Sequence, residues 1–116
     1  MNILDEIVQR IRAFEEATEH YLTYEDACAQ LVALLQELIN SPDQVREAKK
    51  MHHHLVGCLC LIRKAAERDT SLGEVASSLH YLIRILDSAE DPASTVLEKA
   101  VEATLLDVQF CISQHE

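Results

Sequence analysis

The sequence predicts an all-α fold: an antiparallel, up-and-down bundle of four to five helices with short loops, built by residues 1–116 as a single domain. Three observations predict it. Apolar residues recur at spacings of three and four along the chain, and no stretch alternates as a half-buried strand would. Gly and Pro number only two each in 116 residues, which excludes turn-rich β folds and low-complexity linkers. The punctuation between apolar stretches is brief, and short loops turn neighbouring helices antiparallel.

The first helix is expected over residues 3–20, with Ile3, Ile7, Ile11, Phe14 and Thr18 on one stripe. Thr23, followed by Asp26 three residues on, caps a second helix over 24–40, whose apolar positions are Cys28, Leu31, Leu35 and Leu38. His20, Tyr21 and Tyr24 between them read as a hydrogen-bonded hinge. Ser41-Pro42-Asp43-Gln44 places a Ser cap before Pro at the first helical position. A long third helix is expected over 42–68; Gly57 inside it costs about 1 kcal/mol relative to Ala, so either the helix kinks there or something packs closely against it. Ser71-Leu72-Gly73-Glu74 has the spacing of a capping box and opens a fourth helix over 72–89. Asp91-Pro92 restarts the chain for a fifth over 93–114.

Charge narrows the partners. Twenty acids against ten bases leave a formal charge of −10. Residues 1–43 and 69–116 carry −7 each, whereas residues 44–68 carry +4. Phosphate backbones and anionic membranes repel such a chain, so no direct nucleic-acid or membrane binding is expected. Aromatic content of 4% and the lack of Trp also argue against a base-stacking surface. No stretch approaches 18 uncharged apolar residues. Cys28, Cys58, Cys60 and Cys111 fall in apolar helical stretches without CxxC spacing, which points to reduced thiols and a cytoplasmic protein. The acids also permit another reading, an acidic mimic of nucleic acid that inhibits a nucleic-acid-binding enzyme, using Glu15, Glu16, Glu19, Glu25, Asp26, Glu98 and Glu102.

The third helix carries the only run of candidate ligands or nucleophiles. Met51, Leu55, Cys58 and Ile62 form its core face. His53 falls opposite, on a basic face with Arg46, Lys49, Lys50, Gly57, Cys60 and Lys64, and is expected to point to solvent. His52, His53 and His54 splay by about 100° per residue, so they cannot close on one ion. No metal and no cofactor are expected. Cys60 stands two turns from His53, about 10 Å along the helix, too far to act as a nucleophile pair. The run His53-His54-Leu55-Val56-Gly57 resembles the centre of the histidine phosphotransfer domain family, helical bundles of this size with an exposed phosphorylated histidine. The resemblance covers five residues and implies His53 as phosphoacceptor, Gly57 as the point of partner approach, and Lys49 and Lys50 as stabilising cations. Where that family has a lysine, this chain has Val56, and Cys58-Leu59-Cys60 replaces its run of small residues.

No Gly-rich phosphate loop, GxSxG, HExxH or EF-hand loop is present, so no enzyme is expected. The last helix supplies the leading functional reading. Leu97, Val101, Leu105, Val108 and Ile112 suffice for a core face. Ala103, Leu106 and Phe110, next to Lys99, form a second apolar face on the other side. A helix apolar on both sides is either sandwiched or meets a partner. The expectation is a small regulatory or adaptor protein, of antiactivator or inhibitor type, that binds a partner protein through Lys99, Ala103, Leu106 and Phe110, with a homodimer as the simplest case.

Overall fold

A computed structural model describes residues 3–20, 24–88 and 90–115, except the side chains of 14–20, 24 and 115. The architecture is all-α, as the periodicity predicts. The helices among the described residues are α1 (Ile3–His20), α2 (Tyr24–Ile39), α3 (Gln44–Lys50), α4 (His52–Ala66), α5 (Leu72–Asp87) and α6 (Ser94–His115). None of them is long and apolar enough to cross a membrane.

The core is built from the stripes read in the sequence. Leu31, Leu35 and Leu38 of α2, Leu55 and Ile62 of α4, and Leu97, Val101 and Val108 of α6 are fully buried. They meet Leu72, Val75, Leu79 and Leu82 of α5. Helices α2, α4, α5 and α6 close this core, and α1 lies along α4 at its edge.

The expected long third helix is broken, and the break is at Met51 rather than Gly57. Met51 leaves helical geometry, at φ −97° and ψ 9°, while its side chain stays buried. The turn sends α3 towards α6, α2 and α5, where Ala48 is buried, and leaves α4 against α1. Among the described residues the bundle therefore has six helices. Gly57 is buried inside an unbroken α4.

Two caps differ from the sequence expectation. Asp43, not Ser41, caps α3: its carboxylate accepts from the Arg46 N–H at 3.2 Å. A carboxylate at a helix N-terminus gains charge as well as a hydrogen bond, which favours it over the serine. Ser71 has helical dihedrals and makes no side-chain cap. Its hydroxyl instead donates to Asp69 at 2.6 Å, because a preceding turn already bonds the Leu72 and Gly73 N–H groups to Asp69 and Thr70 carbonyls. The Thr23 cap and the hinge of His20, Tyr21 and Tyr24 lie outside the described residues and side chains.

Candidate functional site

Helix α6 places the four sequence-predicted contact residues together on its outer side. Packing of Leu97, Val101, Thr104 and Val108 inward fixes the rotation of the helix. Thr104, the one buried polar residue among those described, satisfies its hydroxyl on the Ala100 carbonyl at 2.8 Å. It can therefore face the core. Lys99, Ala103, Leu106 and Phe110 consequently face outward. Leu106 is 67% exposed and Phe110 64%. Val96 extends the row by one more turn.

The row Val96, Lys99, Ala103, Leu106, Phe110 alternates spacings of three and four. That is the a/d pattern of a helix-pairing seam. Beside it, a groove of about 500 Å³ between α5 and α6 is lined by Tyr81, Val96, Lys99 and Ala103. A Ser78 hydroxyl to Asp107 carboxylate hydrogen bond ties the two helices further along.

Helix α1 holds an arrangement that the sequence did not reveal. Its half-buried residues are Glu6 and Gln9, with Ala13 fully buried, and these face α4. Its aliphatic side, Ile3, Leu4, Ile7, Val8 and Ile11, faces water, with Ile3 75% and Leu4 71% exposed. The stripe of Ile3, Ile7 and Ile11 is thus no part of the monomer core; Phe14 and Thr18 on the same stripe lie outside the described side chains. The difference is tertiary: Gln9 of α1 bonds His52 of α4, and the cleft beside them is lined by Arg63, His80, Arg84 and Asp87 as well as by aliphatic Val56, Leu59 and Ile83.

The histidine run is also covered by α1. His53 is half-buried, not solvent-facing, and lines a groove with Asp5, Val8, Gln9 and Arg12. Its ring packs against that of His54, with centroids 4.1 Å apart. The turn at Met51 separates this groove from the lysines. Lys49 pairs with Asp91, and Lys50 with Glu47 at 3.5 Å, in a groove on α3. His53, Gly57, Lys49 and Lys50 therefore do not converge on one surface: Gly57 is buried, and both lysines belong to the α3 side.

His52 is the histidine that packs inward. Its Nδ1 accepts from the Gln9 amide at 2.7 Å. Its Nε2 lies 2.8 Å from Asp87 Oδ1, out of hydrogen-bond alignment. Among the described residues, no group of three His, Cys, Asp or Glu could hold a metal ion. The four thiols are free, and burial pushes Cys28 and Cys58 up to about 12. Of the acids considered for a nucleic-acid mimic, Glu25, Asp26, Glu98 and Glu102 are exposed; the side chains of Glu15, Glu16 and Glu19 lie outside the described ones. Comparison with protein-family models, with curated proteins and with solved structures finds no match to this chain.

Proposed function

We propose that this chain is a small non-enzymatic regulatory or adaptor protein, of the antiactivator or inhibitor type, that binds a partner protein through the outer face of α6. The observation that carries this reading is the exposure of Leu106 and Phe110 one turn apart, in a row with a helix-pairing period. Burying one such side chain stabilises by roughly 1.5–3 kcal/mol, and a monomer leaves that unrealised. The outward aliphatic side of α1 supports the same class of function, since contiguous exposed apolar surface marks interaction sites.

The simplest partner is a second copy. Antiparallel pairing of two α6 helices sets Ala103 against Leu106 of the second copy, and Lys99 against its Phe110. The ammonium then meets a ring face, a favourable cation–π arrangement. Glu102 falls opposite Gln109 rather than another acid, so like charges do not oppose the pairing.

Light scattering on the parent and on Phe110→Asp tests this. The parent is expected to be dimeric, or to hold a stoichiometric partner, and the variant monomeric or unable to bind with its helical content intact. A parent that is monomeric at high concentration, with a Phe110→Asp variant that unfolds, would overturn the proposal.

A further inference from the structure

The strongest unassigned site is a cleft of about 490 Å³ where α1, α4 and α5 meet. Its chemistry is the reverse of the molecule's. The chain carries a formal charge of −10, yet three arginines line this one cleft: Arg10 from α1, Arg63 from α4 and Arg84 from α5. Two carboxylates share it, of which Glu6 is engaged in an ion pair. Glu6 pairs with Arg10 at 2.8 Å, and Asp87 lies against His52. Arg63 and Arg84 are left without a carboxylate partner among the described residues.

The lining also holds acceptors in Glu6, Gln9 and Asp87, but the groups around Arg63 are donors. The Arg63 guanidinium lies 2.9 Å from His80 Nδ1. A guanidinium only donates, so Nδ1 accepts and the proton of a neutral His80 sits on Nε2. The spare groups around Arg63, His80 and Arg84 are therefore N–H donors. The field is felt by the imidazole itself: burial first, then Arg63, Arg84 and Arg10, hold His80 below the usual histidine value. The remaining titratable group facing the cleft is the Cys60 thiol of α4, pushed up by burial. The floor is aliphatic, from Val56, Leu59 and Ile83.

We propose that this cleft binds a small organic phosphate, its phosphoryl oxygens held between Arg63 and Arg84 and its apolar body on the Val56–Leu59–Ile83 floor. Two uncompensated guanidiniums on facing helices match a dianion, and their planar N–H forks suit phosphoryl oxygens. The volume is that of a small-molecule site and exceeds what an inorganic ion fills. The cleft is separate from the α6 face, so neither proposal depends on the other.

Phenyl phosphate, inorganic phosphate and phenol, each titrated into the full-length chain and followed by amide and His80 ring NMR, test the proposal. Phenyl phosphate is expected to bind saturably and to bring the His80 titration up towards its ordinary value, because a bound anion offsets the arginine field. Inorganic phosphate should bind more weakly, and phenol not at all. Arg63→Gln and Arg84→Gln should each weaken phenyl phosphate about tenfold, the loss of one charge-assisted contact. Arg68→Gln, the same charge change on the exposed turn after α4, should leave it unchanged. Three results would overturn the proposal: no saturable shift at millimolar phenyl phosphate, equal binding of inorganic phosphate, or equal weakening by Arg68→Gln.

Discussion

The Nε2 atom of His52 lies 2.8 Å from Oδ1 of Asp87, across the contact of α4 with α5. Because Nδ1 of the same ring accepts from Gln9, this one imidazole bonds α1 to α4 and lies against Asp87 of α5 without a hydrogen bond. The arrangement explains how α1 stays on the bundle while presenting its polar side to it. The aliphatic side is free to face outward because polar groups hold the inner side.

Removing that link should loosen α1 first. His52→Ala is expected to cost about 1–3 kcal/mol, the range for breaking part-buried polar contacts. Hydrogen exchange should rise in the α1 amides while those of α5 stay protected. Uniform loss of protection across the bundle would show instead that His52 supports the core as a whole.

Helix α1 should respond to mutation in the reverse of the usual sense. Ile7→Ser and Ile11→Ser are expected to change stability by no more than about 0.5 kcal/mol each, as surface positions do. Ala13→Asp, which puts a carboxylate at a buried position, should cost several times more. Denaturant midpoints for the three variants check this. An isoleucine variant more damaging than Ala13→Asp would mean that α1 packs the other way round.

Leu55 and Ile62 have no exposed surface and sit on the inner face of α4. Truncating either to Ala should cost about 2–5 kcal/mol, set by how far the cavity collapses. Thermal and urea unfolding measure it. Parent-like melting of both variants would contradict the phase of the helix.

The thiols should differ in reactivity. Cys60 is half-buried, and Arg10 and Arg63 partly oppose the desolvation that raises its pKa. Cys28 and Cys58 are buried and pushed up to about 12. Alkylation followed by mass spectrometry should therefore label Cys60 before Cys28 or Cys58. The same shifts set a pH dependence. Unfolded thiols ionise near 9, folded ones near 12, so the folded state holds more protons in between. Their stabilising effect is complete below pH 9 and falls away as pH rises towards 12. An unfolding midpoint that stayed flat across that window would contradict it.

Helix periodicity made the core legible. Leu31, Leu35, Leu55, Ile62, Leu97 and Val101 repeat at helical spacing, and burial of such stripes follows from the geometry of the helix itself. The α6 face was legible for the same reason. Once Leu97, Val101 and Val108 point inward, a rigid helix must carry Leu106 and Phe110 to the other side. The arginine cleft was not, because Arg10, Arg63 and Arg84 come from separate helices, and nothing in their local spacing says that they share a wall.

What the sequence by itself determined is the all-α class and the inward faces of α2, α4 and α6, since apolar spacing acts within one helix. Only the tertiary structure decided the orientation of α1 and the turn at Met51. An amphipathic helix carries two coherent faces, and the one that packs depends on what it meets. For α1 the bond from Gln9 to His52 and the burial of Ala13 set Glu6, Gln9 and Ala13 inward and leave Ile3, Ile7 and Ile11 outside. At Met51 no Gly or Pro marks a break. There the i to i−4 hydrogen bonds run on through Met51, to the Glu47 carbonyl and from the Leu55 N–H, and the change in its dihedrals re-aims α3 towards α6, α2 and α5.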